Sequence, residues 1–266
     1  MPLCSVSLDD LTILDEADFA HVAAYAQLKR ALRAVGCQFR VPAAPGTSMS
    51  WDRAVFLNLT FWSADEGAEV LCDNNISADV IAHIAWHHLC APQLSRLVPS
   101  AAKKPSSSAL FFAESIASAF DVYLVGRLVG QRPDSDFLQT QLPIMSEAAE
   151  QAGLSESAFS ALITGMTQDP ERAFEDLRTL LFDASRALFT CSNASDAQLV
   201  LEGFAEHRFA ALLHHFQLSN WQLYAHAYGA DDAEQERAVL ALDATLRAAP
   251  VALDWLIEHW VEGATH

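Results

Sequence analysis

The sequence predicts a mostly helical α+β protein. A small antiparallel sheet comes first, then two long helices bearing inward polar residues, then an all-helical C-terminal lobe. Three observations carry this. Segments with strand-like alternation occur only before Ser77. From Ser77 onward, apolar residues recur at helical spacing between helix-start signals. The chain has 266 residues and is 52% hydrophobic, ample for a sizeable core.

The elements follow in order. From Glu16 to Val35, apolar positions at Phe19, Val22, Ala23, Ala26, Leu28 and Leu32 predict a helix that ends at Gly36, a natural C-cap. "CQFRVP" reads as a short strand stopped by Pro42. "RAVFLNLTFW" has the strongest strand pattern, and with "EVLC" it predicts a hairpin of Val55–Trp62 and Glu69–Cys72. "DNNIS" reads as a loop. Helices are expected at about 77–97, 108–130, 136–152, 155–167, 170–190, 195–216, 219–228, 231–248 and 251–262. Ser77, Ser108, Ser155, Asp169-Pro170, Ser195, Ser219 and Asp231 mark their starts. Pro133, in "GQRPDSD", divides an α/β part at 1–131 from a helical lobe at 132–266.

Composition excludes whole classes of partner. A net charge of −18 argues against nucleic acid and anionic membrane, since both would repel the chain. The five cysteines (Cys4, Cys37, Cys72, Cys90, Cys191) are widely spaced and form no CxxC pair. They read as reduced thiols of a cytoplasmic protein. The N-terminus lacks a basic start and turns acidic within ten residues, unlike a secretory signal. "ALFFAESIASAFDVYLVGRLVG" is very apolar but carries Glu114, Asp121 and Arg127, which predicts a buried helix and not a membrane span. Arginine outnumbers lysine and alanine is abundant, which suggests a GC-rich bacterial genome.

The chemistry-bearing stretch is "SADVIAHIAWHHLC", Ser77 to Cys90. Residues four apart share a helix face, so Asp79, His83 and His87 form one stripe. Two imidazoles so placed can reach one divalent ion. His88 points about 100° away. Cys90 is a weaker ligand candidate near the helix end. On the next helix Glu114 stands in an apolar segment, where an unpaired carboxylate is costly. A metal would balance it, and an ion pair with Arg127 is the competing explanation. Asp121, seven residues on, and Asp79 are candidates to orient a histidine or to handle protons. Asp79 also suits a first-turn position favoured by the helix dipole. Further along, "GFAEHRFAALLHHF" places His207 and His214 seven apart on one face, with His215 adjacent.

A hairpin, a helix with "HIAWH" and a second helix with "FFAESIASAFD" together resemble the layout of gluzincin metallopeptidases, over roughly Val55 to Leu128. The resemblance implies His83, His87 and Glu114 as metal ligands. The family's general base would stand at position 84, and this chain has Ile84, which can neither activate water nor carry a proton. The expectation is therefore a metal-dependent enzyme on a zincin-like scaffold that is not an ordinary protease. It would act on a small molecule or modified peptide by Lewis-acid or redox chemistry, with one divalent ion, zinc first and iron(II) as the alternative. The alternative is a catalytically silent, metallopeptidase-like binding protein.

Overall fold

The computed structural model describes residues 3–42, 68–71, 73–97 and 104–265. The predicted class holds: the protein is α+β and mostly helical, with small sheets of two and three strands. Strand β1 (Leu3–Ser7) lies antiparallel to β3 (Gln38–Pro42), with Leu3 opposite Pro42 and Ser7 opposite Gln38. On the other side of β3, β4 (Ala68–Val70) adds in parallel. A second, parallel pair joins β2 (Thr12–Leu14) to β5 (Asn75–Ser77). The sequence reading did not anticipate β1 and β2, and β5 falls where a loop was expected. Runs of three to five residues are too short to display a period of two. Of the expected hairpin, Val55–Trp62 and Cys72 lie outside the described residues, while Glu69 sits in β4 against β3.

The first predicted helix is broken in two. A 3₁₀ turn at Glu16–Phe19 precedes α1 (Ala23–Ala34), and between them Val22 is extended. Tyr25, Leu28, Ala31 and Leu32 form the buried face of α1, and Gly36 follows at φ +70°, a conformation that favours glycine.

Two helices form the centre of the molecule. Helix α2 (Ala78–Leu97) continues directly from β5, whose last residue is Ser77. Helix α3 (Ser107–Val129) is capped by Ser106, two residues earlier than the expected Ser108, and its Oγ accepts from the Ala109 N–H at 3.2 Å. Length and apolarity alone would let α3 cross a membrane, yet 78% of its most apolar window is buried among other helices. It packs against α2, against α5 (Glu156–Gln168) and most extensively against α6 (Pro170–Phe189). Gly126 permits this approach: a Cβ there would lie 2.5 Å from the Met166 carbonyl oxygen and 3.1 Å from Pro170 Cβ.

The remaining helices close the core. Ser135 caps α4 (Asp136–Gln151), Ser155 caps α5, and Asp169 caps α6 just before Pro170, the last two as expected. The predicted helix 195–216 is a correction. Asn193 caps α7 (Ala194–Glu202), which stops at Gly203, and the chain resumes as a 3₁₀ segment at Ala210–Phe216. Glycine is a poor helix former, and α7 buries no residue that tertiary packing would reward. Then come α8 (Leu218–Tyr228), α9 (Ala233–Ala248, capped by Asp232) and α10 (Ala252–Leu256). Gln217, at φ +49°, precedes α8 without a side-chain cap, so Ser219 does not serve as one. Beyond α10 the chain takes a π turn at Ile257–Val261 and a 3₁₀ turn at Glu262–Thr265 in place of a helix running to 262. A single apolar cluster extends from Leu8 to Val261.

Candidate metal centre

The geometry begins with the way α2 is bound into the core. Ile81, Ala82, Ile84, Ala85, Trp86 and Leu89 are buried, which fixes the helix rotation. His83 and His87 then face α3, whose own rotation is set by Phe111, Phe112, Ile116 and Phe120. Glu114 and Asp121, two turns apart on α3, meet the histidines. The Nε2 atoms of His83 and His87 are 3.2 Å apart, and Glu114 Oε2 lies 3.7 Å from His87 Nε2. One ligand atom from each of His83, His87 and Glu114 falls within 4.8 Å of the other two.

These distances fit a metal. An ion about 2.0–2.1 Å from each nitrogen, in tetrahedral geometry, needs them about 3.3 Å apart. Two neutral imidazole nitrogens at 3.2 Å would otherwise set lone pair against lone pair unless a proton lies between them. The protonation preferences follow from the same packing. Burial opposes charge on His83, but the carboxylates of Asp121, Glu114 and Asp79 outweigh it and raise the ring to about 9. Burial, with His83 and His88 nearby, holds His87 well below the usual imidazole range. With His83 favouring charge and His87 the neutral form, a proton on His83 Nε2 would point at His87 Nε2, at the place where a cation would sit.

Asp121 supplies the outer support. Its Oδ2 lies 3.1 Å from His83 Nδ1 and accepts the proton there, leaving Nε2 to face inward. Asp79 is near enough for its charge to act on both His83 and Asp121. Burial, reinforced by Asp121, pushes its own carboxyl up to about 6. Burial likewise raises the Glu114 carboxyl, with His83 opposing and Asp121 adding to the shift. The competing partner for Glu114 is engaged elsewhere: Arg127 pairs with Glu171 and bonds the Tyr123 hydroxyl at 3.0 Å. The centre is open along one edge, since His83 and Asp121 each retain 32% of their side-chain exposure and Glu114 24%, against 6% for His87.

No family profile, curated protein or solved structure matches the chain. The case for a metal therefore stands on its own donor set.

The other candidates are not part of the converging set. Ile84 is buried in the apolar core. Cys90 is fully buried, and burial with Glu114 nearby pushes its thiol up. The C-terminal histidines do not share a helix face, because the helix expected to carry them is interrupted. His207 Nδ1 accepts from the Phe209 N–H at 3.2 Å, and His214 is exposed. His215 comes nearer: burial lowers its ring, and the Asp121 charge reaches it.

Sequence reasoning missed a second polar group on the back of α2. His88 Nε2 lies 3.3 Å from both Glu69 Oε1 and Cys37 Sγ, tying the helix to β4 and to the residue before β3. Burial and Glu69 push the Cys37 thiol up to about 12, so it is no thiolate. Tyr224 of α8 also lies within reach of the Glu114 and Glu69 charges, and with burial they raise its hydroxyl to about 12. The only hint in the sequence was a lone charge, Glu69, in a strand-like run.

Proposed function

We propose that the protein is a metal-dependent enzyme on a zincin-like scaffold, with His83, His87 and Glu114 holding one divalent ion. The observation carrying this is the convergence of two Nε2 atoms and a carboxylate oxygen within 4.8 Å, from two helices whose rotations are fixed by apolar packing. Two imidazoles and a carboxylate with open positions suit zinc, with iron(II) the alternative. Such an ion would supply Lewis-acid or redox chemistry. Asp121 orients His83, and Asp79, one turn before His83 on α2, has a raised pKa that suits it to holding or passing a proton near neutrality.

Ile84 separates this reading from peptide hydrolysis, since no base stands on α2 where a peptidase needs one. We therefore assign it a small molecule or modified peptide as substrate. Its strong negative charge fits a cytoplasmic protein that engages neither nucleic acid nor anionic membrane. The second reading, a silent metallopeptidase-like binder, draws on the same substitution.

Calorimetric titration of chelator-treated protein with zinc and with iron(II) tests the first reading. It predicts saturation at about one ion per chain, lost in Glu114→Ala. Equal heats in wild type and variant would reject it. Metal-loaded Ile84→Glu, checked for native circular dichroism, separates the two readings: gained peptide hydrolysis would favour the silent peptidase.

A further inference from the structure

A hydrogen-bonded tie on the back of α2 bears on how the two ring ligands are aimed. Apolar packing decides which side of α2 faces α3, but the finer angle is another matter. The buried residues Ala78, Ile81, Ala82, Ile84, Ala85, Trp86, Leu89 and Cys90, at about 100° per residue, reach nearly every side of the helix. Burial so evenly spread opposes a small rotation only weakly, since one apolar surface replaces another. A metal is less tolerant. Turning the helix by about 10° moves an atom about 5 Å from its axis by about 0.9 Å. That is several times the roughly 0.2 Å latitude of a metal–ligand distance. Directional contacts are needed to hold the angle, and two flank the helix. On the α3 side, Asp121 Oδ2 meets His83 Nδ1 at 3.1 Å. About 140° around the axis from His83, His88 Nε2 meets Glu69 Oε1 and Cys37 Sγ, each at 3.3 Å. A carboxylate oxygen accepts, so Nε2 carries the hydrogen, while the Cys37 thiol donates its own to the Gln38 carbonyl at 3.9 Å. Glu69 and Cys37 are buried, and Glu69 stands in β4 opposite Phe39 of β3. The sheet thus holds α2 at the residue next to the ligand His87.

Resting on the metal-site reading, we propose that His88 is a positioning residue of the centre, whose tie to Glu69 sets the angle at which His83 and His87 present Nε2 to the ion. His88 is not among the converging donors and acts through the helix turn that it shares with His87.

The test uses the full-length protein, titrated with zinc for affinity and loaded with cobalt(II) for the visible absorption bands that report ligand geometry. His88→Phe keeps a ring and removes the donor, whereas His88→Gln keeps a donor N–H. His88→Phe should weaken zinc binding by about tenfold, the low end of the loss when a partner of a ligand is removed. It should also shift the cobalt bands. His88→Gln should restore most of both. Glu69→Gln, which leaves a weaker, neutral acceptor, should move both readings the same way by less. That variant decides the matter if His88→Phe does not fold. A His88→Phe protein that melts lower yet keeps wild-type zinc affinity and cobalt bands overturns the proposal and leaves the metal site standing, since the tie would then be structural only. A loss that His88→Gln does not repair at all overturns the hydrogen bond as its cause. If the wild-type protein takes up neither ion, the metal reading falls and this proposal with it.

Discussion

At the scale of single residues, the centre turns on the close approach of the His83 and His87 Nε2 atoms and on the raised affinity of His83 for a proton. A metal must displace that proton, so binding and pH are linked. Below about pH 9, where the His83 ring holds its proton, each unit of acidification should weaken metal affinity by up to about tenfold. At pH 7 about one proton should be released per ion, as read by calorimetry in buffers of different ionisation enthalpy. Metal-free protein should behave in the opposite sense. The folded-state pKa of His83 lies above the ordinary imidazole value, so its contribution to stability is fully present below about pH 6.5 and is lost as pH rises through about 9. A melting temperature of metal-free protein that rises over that range would contradict the charge arrangement. Asp121 acts through His83, so Asp121→Asn should leave stoichiometry at one ion while weakening affinity by about 10–100-fold. Unchanged affinity would show that the 3.1 Å contact does not support the ring.

At the scale of elements, the site depends on how closely α3 approaches its neighbours. Gly126 marks a tight approach, where a side chain has no room against Met166 and Pro170. Gly126→Ala is expected to destabilise the fold by about 1–3 kcal/mol, because backbone cannot yield as a flexible side chain can. Denaturant unfolding reads this directly, and an unchanged midpoint would mean that the helices part easily. The same scale explains what the sequence made legible. Helices α2 to α6 were found within a residue or two, because long amphipathic or fully apolar runs with polar caps leave a strong periodic signal. The His83, His87 and Glu114 set was legible because four-residue spacing fixes two members and a buried charge betrays the third. The helix expected over 195–216 is interrupted at Gly203, a poor helix former, and its later apolar residues Phe209, Leu212 and Leu213 reach the core without α-helical spacing. The His88, Glu69 and Cys37 group, like the nearness of His215 to Asp121, arises from contacts between distant segments that leave no local pattern.

At the scale of the whole molecule, a buried charge network joins α6 to α9. Arg178 is fully buried beneath the Phe112 ring, bonded to Asp243 at 2.7 Å and to Glu175 at 2.7 and 2.9 Å. Asp243 also accepts from Arg247 at 2.6 Å. Removing Asp243 leaves one arginine buried without one of its two carboxylates, so Asp243→Ala should cost about 3–5 kcal/mol in unfolding free energy. A loss below about 1 kcal/mol would place the network among exposed pairs. This network shares a core with the metal helices through Phe112, so metal bound to the native state should stabilise the entire fold. Metal content of protein purified without added metal, compared between wild type and His83→Ala, examines that centre most directly. About one zinc or iron per wild-type chain, and a small fraction of that in the variant, is the predicted result. Equal metal in both proteins, or none in either, would contradict it.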